Sequence, residues 1–263
     1  MSKILLPDPS TSSPQQEGMS FWEHVEDFRS LILRCSAIFI LSCITVACFF
    51  PFFADLLNAP LKKALGDHPD LLQGLVTTTP MGIFSVLIQV CFLGGLALSL
   101  PIMLYLGARF VAPALSSKEK YILGPGCIAA FALFSGGALF SYYFVLPASL
   151  TVSIQLNKLF DFQLIWSAPG YYGLVVWMTL GIGLCFEFPL ILLLLLKVGL
   201  LSSQKLKEVR RYMIVGILVV CAAIIPGGDP FSLIILAGPL YLSYEGVILL
   251  GERIERRRDE ASY

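Results

Sequence analysis

An all-α polytopic membrane protein is the fold class that this sequence predicts, and three observations predict it. Mean hydropathy is +0.81 across the chain. Only 14% of the 263 residues are charged, against about 25% in ordinary soluble domains. The apolar residues also gather into six long stretches: Ser36–Ala54, Met81–Ala108, Tyr121–Asn157, Tyr171–Leu196, Tyr212–Gly228 and Pro230–Leu250. Most of these meet the roughly 17–25 residues that a helix needs to cross the hydrocarbon core.

Each element has its own signals. The first 18 residues are rich in Pro, Ser and Gln, with no long apolar run, and read as a disordered tail without a cleavable leader. Ser20-x-x-Glu23 then has the form of a capping box. Behind it Phe21, Val25, Phe28 and Ile32 make an apolar stripe, with Glu23, Glu26, Asp27, Ser30 and Arg34 on the other side. This predicts an amphipathic segment on the membrane surface that leads into the first span. An outside loop over residues 52–80, containing Asn58-Ala-Pro60-Leu61, is expected next. The second span carries Pro101 near its end, where a kink is expected. A short basic loop, Arg109–Lys120, contains Phe110, Pro113 and a second capping box, Ser116-x-x-Glu119.

The third span is expected to end near Pro147, after Tyr142 and Tyr143, which suit an interfacial aromatic belt. The fourth holds Glu187 and Pro189 and leads into the most basic segment, Lys197–Arg211. The fifth is short, because Pro226 follows only fourteen residues after Tyr212 begins it. A tight turn, Pro226-Gly-Gly-Asp229-Pro230, joins it to the sixth, with Asp229 placed as N-cap and Pro230 at the first helical position. The sixth carries Pro239 and one charge, Glu245, and residues 252–263 read as a charged tail.

Orientation follows from the basic residues. With six spans and both termini in the cytoplasm, fifteen of the eighteen lysines and arginines fall inside, and only Lys62, Lys63 and Lys158 fall outside. The positive-inside rule favours that arrangement.

Several function classes find no seat. No phosphate-binding loop, HExxH zinc site or G-x-S-x-G elbow occurs. The two histidines, His24 and His68, fall in the interfacial segment and an outside loop, and the seven cysteines form no CxxC pair. They read as small apolar packing residues. No enzyme, cofactor, metal site or nucleic-acid partner is therefore expected.

Glu187 is the most informative residue. It is the only charge in the 26 residues Tyr171–Leu196, and an acid at that depth costs at least ~2.5–3.5 kcal/mol to insert. It serves as a functional group, a protonated carboxyl bonded within the bundle, or a polar anchor between helices. One reading pairs it with Glu245 as the proton relay of a proton-coupled small-solute transporter.

The motifs in order resemble those of the TatC family, the signal-peptide receptors of the twin-arginine protein translocase. The pieces are His24-x-x-Asp27-Phe28-Arg29, Asn58-Ala-Pro60-Leu61, Pro101-x-x-x-Tyr105, Phe110-Val-Ala-Pro113 with Glu119, and Tyr142 with Pro147. Phe186-Glu187-x-Pro189, Pro226 with Asp229-x-Phe-Ser232, and Pro239-Leu-Tyr241 with Glu245 complete the set. The resemblance runs from about Met19 to Glu245 and implies one six-span domain over residues 19–251. That domain would have a concave groove and short last helices. It departs from the family at Asp27, where Glu is usual, at Gly227-Gly228, where a proline is expected before Asp229, and at Leu233, where glutamine is common. The resemblance implies that a cytoplasmic site including Glu26, Asp27, Arg29, Phe110, Pro113 and Glu119 binds the twin-arginine signal peptides of folded cargo. It also implies that Glu187, Tyr142, Asp229 and Glu245 meet TatA/TatB-type single-span partners, with export driven by the proton-motive force. Homo- and hetero-oligomers in contact with membrane lipids follow from it.

Overall fold

The computed structural model describes residues 21–66, 74–112 and 120–260. Among them the chain is almost wholly helical and forms no strand, only an isolated bridge between Val76 and Ser167. The helices are α1 (Phe21–Cys48), α2 (Phe50–Leu65), α3 (Gly82–Val111), α4 (Lys120–Phe140), α5 (Leu146–Leu159), α6 (Ala168–Val198), α7 (Ser203–Glu208), α8 (Arg210–Ile224) and α9 (Pro230–Glu260). A π-helical turn, Ser141–Val145, joins α4 to α5, and a 3₁₀ turn, Pro226–Gly228, joins α8 to α9. The N-terminal tail, Ser20 of the first capping box, Pro113, Ser116 and Glu119 lie outside the described residues.

Among the described residues, five helical segments are long and apolar enough to cross a bilayer: Val25–Cys48, Gly82–Phe110, Leu123–Leu159, Ala168–Lys197 and Pro230–Arg256. Only 6% to 33% of each apolar window is buried inside the protein. The remaining apolar surface therefore needs lipid or a partner against it, which is the solvent relation of a membrane protein. The sixth expected span is α8, whose 15 residues reach about 22 Å, short of the ~30 Å hydrocarbon core. For α8 to cross, the bilayer must thin locally.

The structure corrects five expectations. The amphipathic start is no separate surface segment but the first turns of the continuous helix α1. The first outside loop holds the 16-residue helix α2. The third span does not stop at Pro147. The π turn shifts bonding so that Leu146 donates to the carbonyl of Ser141, and Pro147 falls in the first turn of α5, where a missing N–H costs little. Of the last two helices only α8 is short, since α9 runs for 31 residues. It does so because the charged segment from residue 252 is no tail. The Glu255 carboxylate accepts from the Ser203 amide at 2.8 Å and also bonds the Ser203 hydroxyl, while Glu252 pairs with Lys207. The Glu255 carboxylate thus sits at the first turn of α7, where orphan amides seek acceptors, and Glu252 meets a lysine of its last turn.

Prolines organise one end of the bundle through the carbonyls they leave without a helical donor. Pro60 lies inside α2 and brings no N–H to the carbonyl of Leu56 four residues back. The Tyr142 hydroxyl takes the vacant place at 2.5 Å. The exchange is reciprocal, because Pro147 brings no N–H to the carbonyl of Tyr143, and Lys63 of α2 donates to it at 3.2 Å. Beside them Tyr171, only 4% exposed, donates to the carbonyl of Leu57 at 2.7 Å. Trp177 closes the far end of α8 by donating to the carbonyl of Ile224 at 3.1 Å.

Candidate functional site

Two places bear on function. The first lies where the start of α1 meets the end of α3. Asp27, Ser30, Leu31 and Arg34 recur at helical spacing on one face of α1. Opposite them stand Leu106, Arg109 and Phe110 from the last turns of α3. Together they line a cleft of about 320 Å³. The ring of Phe110 packs on that of Phe28 with centroids 5.8 Å apart, so the apolar stripe of α1 anchors the aromatic wall of the cleft.

Asp27 and Phe110 line the same cleft. Glu26 and Arg29 are exposed on neighbouring turns of α1 and do not line the cleft. The sequence places Arg34 on the polar face of α1 with Asp27 and offers Arg109 only as a topology charge, and both line the cleft beside Asp27. The seven-residue spacing from Asp27 to Arg34 was the signal available for Arg34. The cleft thus holds one carboxylate and two guanidiniums among its described lining residues.

The second place is the contact of α4 with α6. Gly137 and Gly183 let these helices approach so closely that a Cβ at Gly137 would stand 2.8 Å from the Phe186 ring, and one at Gly183 would stand 2.9 Å from the Phe134 ring. The two rings interlock with the two glycines, and Glu187, half-buried, follows Phe186 directly. Two residues on, Pro189 sits buried inside α6.

A neighbouring apolar hollow of about 230 Å³ is lined by Leu57, Leu93, Ala97, Phe134, Tyr142 and Thr179, among others. Its α6 wall is Thr179 and Leu180 rather than Glu187, which lies eight residues further along, about 12 Å down the helix. The Thr179 hydroxyl is buried without a hydrogen-bond partner.

The remaining sequence-predicted residues have defined partners. Asp229 is the N-cap of α9: its Oδ1 accepts from the Ser232 amide at 2.7 Å, and Ser149 of α5 donates to its Oδ2 at 3.3 Å. Gly227 and Gly228 before it take positive φ of 78° and 59°, a conformation closed to the proline expected there. Glu245 accepts from Arg210 at 2.7 Å on Oε2 and from the Tyr241 hydroxyl at 2.8 Å on Oε1. Arg210, which sequence reasoning did not single out, joins α8 to α9 through that pair. Pro101, Pro189 and Pro239 lie inside α3, α6 and α9, and Pro226 opens the 3₁₀ turn.

Long apolar helices, prolines held within them, a charged cleft at one end and an acid inside the bundle define a polytopic helical membrane protein. The family model for the Sec-independent protein translocase protein TatC matches residues 23–239. The chain belongs to the TatC family.

Relatives include chloroplastic TATC of Pisum sativum, 34% identical over 93% of this chain and 65% of that protein. TatC of Koribacter versatilis is 32% identical over 93% of this chain and 91% of its own length. TatC of Aquifex aeolicus is 30% identical over 92% and 98%. The chain thus spans about two thirds of the pea protein and nearly all of the two bacterial ones. Among solved structures, a crystal structure of the twin-arginine translocase receptor TatC superposes with a TM-score of 0.73 at 30% identity, covering 89% of this chain and all of that one.

Proposed function

We propose that this protein is the signal-peptide receptor of a twin-arginine translocase in a cell inner membrane, with both termini cytoplasmic. It works with TatA/TatB-type single-span partners to export folded proteins on the proton-motive force. The observation that carries the reading is the cleft where Asp27 and Phe110 share one hollow at the basic end of a TatC-family chain.

The chemistry fits a twin-arginine ligand. A guanidinium binds carboxylates through a planar fork of donors, which a lysine cannot imitate. Asp27 supplies one carboxylate in the cleft, and Glu26 stands one residue before it. Glu119, which follows α3 in the sequence, supplies a further acid, and Pro113 belongs to the same sequence motif. Arg34 and Arg109 repel cations on either side, so a peptide arginine is held only at the acids. Phe110 offers an aromatic face beside them. Arg29 helps to keep that end of α1 at the cytoplasmic surface.

Further along the chain, Glu187 presents a polar group to a partner's spanning helix, with Tyr142 and Asp229 holding the surrounding helices in register. The transporter reading is weaker, since a relay through Glu245 needs a carboxylate free to exchange protons, and both of its oxygens are engaged.

Photo-crosslinkers placed at Phe110 and Glu119 in native membranes test the reading. Adducts should form with a twin-arginine signal peptide and fade with its twin-lysine counterpart. Equal labelling of the two peptides would reduce the site to nonspecific attraction of cations.

A further inference from the structure

At the end of the bundle opposite the basic one, α2, α5 and the start of α9 enclose a cleft of about 650 Å³ that neither functional place uses. Its walls include Lys63, Phe144, Val152, Thr151, Gln155 and Phe231, and among the described residues no carboxylate lines it. Phe144 and Phe231 are each 61% exposed, so the trough faces outward from the bundle. Its depth in the membrane follows from the helix ends. Phe231 is the second residue of α9, and Gln155 stands one turn before α5 stops at Leu159. That is the level at which spans give way to headgroups.

We infer that this cleft binds an anionic phospholipid, with the lipid phosphate on Lys63 and one acyl chain along Phe144, Val152 and Phe231. A spanning helix of another protein would fill the apolar trough without accounting for a cation at its mouth. A free anion would satisfy the cation and leave the trough empty. A phospholipid supplies both parts in one molecule.

Lys63 is prepared for that role. Its ammonium has three donors, and one of them is fixed on the carbonyl of Tyr143, 3.2 Å away, the acceptor that Pro147 leaves vacant. The chain thus holds the cation at the mouth of the cleft with two donors to spare. Charge complementarity extends beyond it. Lys62 is adjacent, and Lys158 follows Gln155 by three residues on α5, so the lysines of this end gather on the two helices that form the cleft. Lys63 is the one that lines it. The inference needs only that the chain spans a membrane and is independent of the receptor reading.

Native mass spectrometry of the full chain, released from nanodiscs of phosphatidylcholine doped with phosphatidylglycerol, tests it. The wild type should retain phosphatidylglycerol in preference to phosphatidylcholine. Lys63→Gln should lower the retained adduct about fivefold, the factor expected from one lysine at an anionic headgroup. Lys63→Arg should keep it, and so should Lys62→Gln, which removes the same charge beside the cleft. Val152→Trp, which fills the trough and leaves the cation, should also lower it. An equal loss in Lys62→Gln would overturn the site in favour of general surface charge, and a wild type without headgroup preference would overturn it outright. Unchanged circular dichroism of the Lys63 variants shows that the fold is retained.

Discussion

Tyr142 stands in for the hydrogen-bond donor that Pro60 lacks: its hydroxyl lies 2.5 Å from the Leu56 carbonyl, the acceptor that the residue at position 60 would serve in an unbroken helix. The two residues are 82 positions apart and on different helices, so one proline turns a local bond into a tertiary one. The bond thereby ties α2, which lies in the outside loop, to the π-helical turn of the third span.

Tyr142→Phe should therefore destabilise the protein by about 0.5–1.5 kcal/mol, the net worth of an ordinary hydrogen bond. Pro60→Ala in that background should recover most of the loss, because alanine restores the N–H at the same carbonyl. Thermal unfolding of the wild type, both single variants and the double variant in detergent gives the coupling directly. Equal losses from Tyr142→Phe with and without Pro60 would show that the hydroxyl does not serve this carbonyl.

This pairing shows where the sequence was legible. Pro60, Tyr142 and Pro147 all stood out as motif residues. Apolar stretch lengths predicted the long helices, and the Asp229 cap followed from its position before Pro230, because caps and span lengths are local properties. That Tyr142 answers Pro60 and Lys63 answers Pro147 was not legible, since it depends on which helices lie side by side. The helix α2 was missed because a 16-residue segment with Asp55, Lys62 and Lys63 is too polar to read as a span and contains a proline. The Arg210–Glu245 pair was missed for the opposite reason. Glu245 drew attention as an isolated acid, whereas its partner was one of many basic residues counted only for topology.

Gly137 and Phe186 give a second prediction. A methyl group at position 137 would stand 2.8–3.0 Å from three atoms of the Phe186 side chain, so α4 and α6 must separate. Gly137→Ala should cost about 1–3 kcal/mol, as overpacking does. Gly136→Ala should cost nothing or add slight stability, since open space surrounds position 136 and alanine favours the helix. Thermal unfolding of the two neighbours compares them on one scale, and Phe186→Ala, which removes the Cγ and Cδ2 atoms that a methyl at 137 would meet, should relieve part of the Gly137→Ala defect.

The Arg210–Glu245 pair is partly exposed, with side-chain accessibilities of 43% and 24%, so its worth is moderate. Arg210→Met should lower stability by about 1–2 kcal/mol, the low end for a bond to a charged group, because solvent screens the pair. The loss comes from leaving a carboxylate half-buried with only Tyr241 beside it. Adding Glu245→Gln should return part of it by removing the unpaired charge. Denaturation followed by tryptophan fluorescence checks the order wild type, double variant, Arg210→Met.

Glu187 separates stability from function. An acid within the bundle is tolerated at the cost of folding, so Glu187→Leu should raise the melting temperature of the isolated protein. If the carboxyl docks a partner's spanning helix, the same variant should lose partner co-purification. Interhelical hydrogen bonds in membranes are worth about 0.6–2 kcal/mol, which corresponds to a roughly 3- to 30-fold drop in association. Glu187→Gln keeps the shape and a hydrogen-bonding end group, so it should retain most of that association. The pair of variants measured in one membrane extract then distinguishes the roles. Retained partners with arrested export in Glu187→Gln mean that the residue acts by losing and regaining a proton. Retained partners with export intact mean that it acts as a docking group, and partners held equally well by Glu187→Leu would remove the docking role altogether.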